Sequence, residues 1–152
     1  MAADLLIRAA QDADSRDIWR WRNDATTRAM SVHSTEISWD AHAAWFAQAV
    51  AAGDRRFYVG ELGGAKIGLC RFDLAHDGAS AEVSINLNPD RRGQGVGASL
   101  LAGCIARFRQ EFPVGLTATI RPDNPASQRI FARCGFVLVD NDGRDGFGHY
   151  RL

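Results

Sequence analysis

Residues 86–112 read NLNPDRRGQGVGASLLAGCIARFRQEF, and this stretch decides the fold. It leaves an alternating strand, passes through an arginine- and glycine-rich turn and runs directly into a helix. Gly97, Leu100, Leu101, Cys104, Ile105, Phe108 and Phe112 recur at three- and four-residue steps, so they share one helix face, and that face belongs to the core. The first turn of this helix has no Asp or Asn cap. In its place stand Arg91, Arg92, Gly93, Gly95 and Gly97, which leave backbone N–H groups open to an outside group. Open N–H groups at the positive end of a helix dipole, beside two guanidiniums and without Cβ crowding, suit a diphosphate. The blander alternative is a tight strand-to-helix turn with two solvated arginines.

The Walker pattern fails here, because no Lys-Ser or Lys-Thr pair follows the glycines. The dinucleotide fingerprint G-x-G-x-x-A is met by Gly93, Gly95 and Ala98. That fingerprint belongs in the first turn of a repeating βαβ sheet, whereas here it comes late in the chain, after strands joined by short turns. A nucleotide-cofactor oxidoreductase is therefore a competing reading with only one crossover unit to support it.

Earlier in the chain, residues 5–9 suit an opening strand, and Asp12, Asp14 and Ser15 open a helix carrying Ile18, Trp19, Trp21 and Arg22 that ends near Asn23 and Asp24. Residues 31–37 show no period and read as a loop holding His33 and Glu36; loops over a site commonly carry acceptor specificity. Ser38 caps a second helix with His42, Trp45, Phe46 and Ala49 on one face, stopped by Gly53. From Arg55 the period changes to two. Strands joined by Gly63-Gly64 and by His76-Asp77-Gly78 lead to a third strand over residues 81–87, an antiparallel meander that feeds the glycine turn. After the central helix, residues 114–120 should pair beside 81–87. Asn124 stands between Pro122 and Pro125 before a short helix over 126–133, residues 136–139 form a strand, 143–148 a polar turn, and 149–152 close the sheet. The expected fold is α/β (α+β), a mixed, mostly antiparallel sheet flanked by helices, in one domain spanning residues 1–152.

Eighteen basic and eighteen acidic side chains balance, which gives no footprint for general nucleic-acid or membrane-surface binding. Cys70, Cys104 and Cys134 are odd in number, show no CxxC spacing and lie in apolar or helical patterns, so neither a disulfide framework nor a metal site is expected. Reduced core thiols, no leader pattern and no apolar run of membrane-spanning length read as a soluble cytoplasmic protein.

The run Arg92-Gly93-Gln94-Gly95-Val96-Gly97 resembles the acetyl-CoA pyrophosphate loop of the GNAT-type N-acetyltransferases, and the preceding Asn-Pro-Asp-Arg resembles that family too. Downstream, Asn124, Ser127, Phe131 and Cys134-Gly135-Phe136 resemble its second segment, in which an Asn precedes a short helix ending in Gly-Phe. The likeness covers nearly the whole chain and is strongest over residues 81–139. It implies an acetyl-CoA-dependent N-acetyltransferase with a small-molecule amine as acceptor, and it allows a homodimer. Backbone N–H groups of the turn through Ala98 would hold the pyrophosphate, with Arg91 or Arg92 adding charge. The strand end at Ile85 and Leu87 would part from its neighbour to bind the pantetheine arm and polarise the thioester carbonyl. Asn124, Ser127 and Phe131 would meet the donor from the other side, although Asn124 also reads as a helix cap.

For proton removal, Glu82 on the strand leading into the donor site ranks first, with Glu36 and His33 behind it. Many relatives carry a tyrosine acid at the place occupied here by Phe131, which cannot donate a proton; Tyr150 is the substitute candidate. A thiol with a pKa near 8.5 leaves tolerably as the thiolate without such an acid. On the acceptor side, Arg22 belongs to a Trp-Arg-Asn-Asp run that resembles the opening of members acetylating amino sugars or protein N-termini. That run, residues 37–46, and Arg71 with Asp73 together resemble enzymes acetylating the 4-amino group of nucleotide-linked deoxyamino sugars, as in pseudaminic acid synthesis. A non-catalytic acyl-CoA sensor, an N-terminal acetyltransferase and a polyamine acetyltransferase share the same frame.

Overall fold

The computed structural model describes residues 4–31, 34–140 and 146–152. Its centre is a seven-stranded sheet in the order β1-β2-β3-β4-β5-β7-β6, made of β1 (Leu5–Ala9), β2 (Arg55–Leu62), β3 (Ala65–Leu74), β4 (Ser80–Leu87), β5 (Gly115–Ile120), β6 (Val137–Asp140) and β7 (Gly148–Arg151). Each described strand pairing is antiparallel except β4 with β5. One parallel pair in an otherwise antiparallel sheet is the mixed architecture expected, and it is not a doubly wound dinucleotide fold.

Side-chain alternation sends the strands' two faces to different helical layers. Tyr58, Cys70, Phe72, Ala81, Val83, Leu116, Ala118 and Ile120 pack with Leu100, Leu101, Cys104 and Phe108 of α4 (Gly97–Glu111). Phe57, Val59 and Leu69 face the other way, onto Ile18 and Trp21 of α1 (Ser15–Asn23) and Phe46 and Ala49 of α3 (Trp39–Ala51). The apolar stripe read along the central helix is its buried face, with Phe112 partly covered beyond its end.

Some local expectations are corrected. Residues 25–30 form a further helix, α2 (Ala25–Met30), because the Asp24 carboxylate accepts a hydrogen bond from the Thr27 N–H at 3.1 Å and so starts a new turn where α1 ends. The second long helix is capped by Ser38 as expected, but it ends at Ala51 through an extended Ala52 rather than through Gly53. The last strand does not close the sheet: β7 inserts between β5 and β6, which leaves β6 at the edge. The 143–148 turn lies partly outside the described residues.

The helical layer that faces the site is held to the sheet by Asp14. Its buried carboxylate receives two hydrogen bonds from Arg8 of β1 at 2.8 and 2.9 Å, an ion pair from Lys66 of β3 at 2.8 Å and the Gln11 N–H at 2.8 Å. Burial alone would raise this carboxyl's pKa, but the hydrogen bonds from Arg8, Lys66 and the Gln11 backbone outweigh it and hold the group well below the usual carboxylate range. Asp14→Asn should therefore cost about 3 kcal/mol near neutral pH, read by denaturant unfolding. A carboxylate with a depressed folded pKa stabilises the fold above its unfolded pKa of about 3.9 and loses that contribution as pH falls further. The gap between wild type and Asp14→Asn should thus be full at pH 6 and shrink below about pH 4.

Candidate active site

The parallel pairing of β4 with β5 lasts only three residues: Ser80 with Gly115, Ala81 with Leu116 and Glu82 with Thr117. Beyond Glu82, β4 keeps a regular ladder with β3 as far as Leu87, while Thr119 and Ile120 of β5 pair with His149 and Gly148 of β7. The two strands therefore part, and from Val83 onward the β5-facing backbone groups of β4 have no strand partner. A cavity of about 680 Å3 opens over this gap. Val83, Ser84, Ile85, Asn86 and Leu87 line it from β4, and Asn124, Ser127, Ile130 and Phe131 from α5 (Pro125–Arg133) and its cap. Arg22, His42, Trp45, Arg71, Asp73 and Glu82 line it on the α1/α3 side.

The glycine turn approaches α4 as the sequence pattern requires. Asn88 caps a short 3-10 turn over Pro89–Arg91, and α4 then starts at Gly97 with no side-chain cap. Gly93 and Gly95 have φ of 73° and 74°, the left-handed region, and a Cβ built on either would meet nothing within 4 Å. Exposed N–H groups over open space at an uncapped helix start fit a pyrophosphate. Gly97 serves packing instead. A Cβ there would sit 2.5 Å from Ile130 Cδ1, so its lack of a side chain lets α5 pack on α4. Val96 packs against the core, Ala98 O accepts from Cys134 Sγ at 3.4 Å, and Gln94 Nε2 donates to Asp90 O at 3.2 Å.

Of the two loop arginines, Arg92 donates to Asp24 Oδ2 at 2.6 Å and to Thr27, which ties the loop to the α1–α2 junction. That hydrogen bond is the main reason the Asp24 carboxyl lies below its usual range. Arg91 makes no ion pair among the described residues and is the arginine whose charge is uncommitted.

Asn124 is the cap of α5, accepting from Ser127 N at 3.2 Å and donating to Ser127 Oγ at 3.1 Å, and its amide also reaches Met30 O at 3.5 Å. Cap and cavity wall are thus the same residue. Phe131 is buried, edge-on to Phe136 with centroids 4.9 Å apart, while still lining the cavity. Glu82 is exposed and lies on the sheet face shared with Arg71 and Asp73. Tyr150 pairs with Ala118 on the opposite face, packs against the α4 core and does not line the cavity, so the structure does not bring it together with Glu82. Glu36 lines a second cavity of about 630 Å3 with Asp17, Asp24, Lys66 and Asp90, apart from Arg22. His33 lies outside the described residues.

Sequence reading missed Ser84 and Asn86, which line the cavity and lie on the same sheet face as Glu82; their two-residue spacing from Glu82 on β4 was the available signal. It also missed the Asp24–Arg92 tie, for which no local pattern exists, the two residues being far apart in the chain. The thiols are not nucleophile candidates. Burial, with a hydrogen bond to Cys104, pushes Cys70 up, and burial pushes Cys134 up.

His42 is fully buried in an aromatic stack with Trp39, Trp45 and Phe46, and neither ring nitrogen has a hydrogen-bond partner among the described residues. Burial, then the charge of Arg22, lowers its pKa, with the Ser15 backbone pulling the other way.

Parted strands beside a glycine turn and an uncapped helix start are the arrangement expected of an acyl-CoA-using transferase from the resemblance above. The model of the Acetyltransferase (GNAT) domain matches residues 4–137, and the chain belongs to that family. It is an N-acetyltransferase, with acetyl-CoA as cosubstrate. No curated protein sequence matches the chain. Among solved structures, it is similar to spermidine N-acetyltransferase from Vibrio cholerae in complex with CoA and spermine, with TM-score 0.87 and 19% identity over 97% of this chain and 94% of that one. It is also similar to the aminoglycoside acetyltransferase AAC(6')-Ib in complex with coenzyme A and kanamycin, with TM-score 0.81 and 16% identity over 97% and 93% of the two chains. Likeness at these identities is likeness of fold. Among the described residues, no helix is long and apolar enough to cross a membrane.

A buried neutral imidazole stays unprotonated when the unfolded chain's histidine, with pKa about 6.5, takes a proton, so His42 makes the fold lose stability as pH drops below that value. His42→Phe should remove this contribution to the pH dependence between about pH 7 and 5, leaving stability at pH 7.5 equal or higher in thermal melts.

Proposed function

We propose that the chain transfers the acetyl group of acetyl-CoA to a primary amine of a small acceptor, a nucleotide-linked amino sugar. The observation that carries the donor half is the parting of β4 from β5 beside the open-backed Gly93 and Gly95. The acceptor half is supported by the meeting of three separate segments in one cavity wall: Arg22 from α1, His42 and Trp45 from α3, and Arg71 with Asp73 from β3.

When bound, acetyl-CoA supplies an acyl group activated as a thioester. The N–H groups of the turn through Gly93, Gln94, Gly95, Val96, Gly97 and Ala98 hold its pyrophosphate, aided by Arg91 and, through its loop-fixing contact, Arg92. Ile85 and Leu87 lend unpaired backbone groups to the pantetheine arm, and an N–H at this edge donates to the thioester oxygen as negative charge develops there. Asn124, Ser127 and Phe131 close the other side. Glu82 takes the ammonium proton through water, since its exposed carboxylate shares the open face with the acceptor wall. With Phe131 in the place of a tyrosine acid and Tyr150 outside the cavity lining, the thiolate leaves unprotonated in this reading.

A polyamine acceptor is the second reading, favoured by the acidic lining of the smaller cavity, where Asp17, Asp24, Glu36 and Asp90 gather. Homodimerisation is also proposed, supported by the edge strand β6, on which Val137, Leu138 and Val139 are all exposed. A cytoplasmic setting is supported by the unpaired thiols.

The test is thiol release from acetyl-CoA with a panel of nucleotide amino sugars, polyamines and N-terminal peptides. Turnover confined to a nucleotide amino sugar is expected. Turnover confined to polyamines would replace this reading by the second, and binding without any turnover would leave a sensor. Gly95→Asp should abolish acetyl-CoA binding by calorimetry, because its carboxylate enters the space assigned to the pyrophosphate. The melting temperature should fall by only a few degrees, since the left-handed φ costs about 1–2 kcal/mol. Undiminished affinity in that variant would overturn the loop assignment.

A further inference from the structure

The acceptor half of the larger cavity carries positive charge that acetyl transfer to an amine does not need. Two guanidiniums flank one indole: Arg22, at the end of α1, stands 5.2 Å from the Trp45 ring centroid, and Arg71, from β3, stands 5.1 Å from it. Arg71 is held by Asp73, to which its Nε donates at 2.9 Å, and no terminal nitrogen of Arg71 has a hydrogen-bond partner among the described residues. Arg22 is half-buried and makes neither an ion pair nor a hydrogen bond among the described residues. Burial and the charge of Arg71 both work against its protonated form.

Removing a guanidinium from water without a counter-ion is costly, and placing a second beside it adds repulsion. Aromatic faces offset only a part of this. The carboxylates nearby do not complete the balance. Asp73 is shared between Arg71 and Arg55, the latter at 3.8 Å, and Glu82, its register partner on β4, lies toward the parted strands where the amine must lose its proton. Behind Trp45, His42 adds two buried ring nitrogens with no protein partner among the described residues, in the same cavity wall. The wall thus gathers hydrogen-bonding groups that the protein itself leaves unsatisfied, two of them cationic.

We propose that Arg22 and Arg71, braced on Trp45, bind an anionic group of the acceptor, so that the substrate is an amine that also carries a phosphate or carboxylate, not a polycation. This rests on the N-acetyltransferase reading and narrows its acceptor. Glu82 and the parted strands receive the amine end, and the guanidinium pair receives the anion. Guanidinium groups present paired N–H donors that match both anions, and charge-assisted hydrogen bonds of this kind are roughly twice as strong as neutral ones.

The test keeps the donor site filled. Protein saturated with CoA is titrated calorimetrically with inorganic pyrophosphate, with succinate and with spermidine. One equivalent of an anion should bind with millimolar or tighter affinity. Arg22→Gln and Arg71→Gln should each weaken it about tenfold or more, and Arg22→Lys, which keeps the charge but not the paired donors, should fall between wild type and Arg22→Gln. CoA affinity should stay within about twofold in all three variants, which also reports that they are folded. Tighter binding of pyrophosphate assigns a phosphoryl acceptor, and tighter binding of succinate a carboxylate. Spermidine binding in place of the anions, no anion binding, or anion binding indifferent to both Gln variants would overturn the proposal. A wild-type chain that fails to bind CoA would instead sink the donor reading beneath it.

Discussion

Everything in the site depends on two strands that pair for three residues and then part. Ser80, Ala81 and Glu82 pair with one edge of β5 and the pairing then stops, while the other edge of β5 stays joined to β7 through Ile120, so β4 is left with one unpaired edge from Val83 onward. Buried N–H and C=O groups without partners are costly, and a sheet keeps such an edge only where something else can meet it. An extended pantetheine arm with amide groups of its own is suited to that edge.

Around this gap the chain builds two layers with different duties. On the α4 face, Phe72 stacks on Phe108 with centroids 4.3 Å apart, and one buried apolar cluster takes in residues from Tyr58 to Phe136. On the α1/α3 face the packing is more polar. Asp14 links β1, β3 and the start of α1, while Asn23 grips both backbone groups of Ile37, donating to its O at 2.6 Å and accepting from its N at 2.9 Å. These contacts hold Arg22, His42 and Trp45 against the open face of the sheet. The α4 face is thus held by apolar packing, and the α1/α3 face by an apolar cluster of its own together with these directional hydrogen bonds.

Charge follows the same division. Of the two arginines of the glycine turn, one is spent on fixing the loop to Asp24 and one stays uncommitted near the helix start. Across the gap, Arg22 and Arg71 meet on Trp45, with Asp73 paired to Arg71 and Arg55 and no carboxylate paired to Arg22 among the described residues. Two guanidiniums this close concentrate positive charge on a partly desolvated wall of the cavity.

The local parts of this protein were legible from residues alone. The stripe from Gly97 to Phe108 marks the central helix because burial must follow the helical period. The period-two runs and Gly63-Gly64 mark the meander, and Gly93 and Gly95 mark the turn that leads into α4, because few side chains tolerate that backbone. The Asp24 cap was equally local but was hidden behind the end of α1. What tertiary structure alone decided is everything that depends on distant segments meeting: the insertion of β7 between β5 and β6, the parting of β4 from β5, the use of Arg92 by Asp24, the separation of Tyr150 and Glu82 onto opposite faces, and the pairing of Arg22 with Arg71 across Trp45. Period and turn chemistry act over a few residues, whereas strand order and the sharing of charge between segments are set by which surfaces find one another in the folded core.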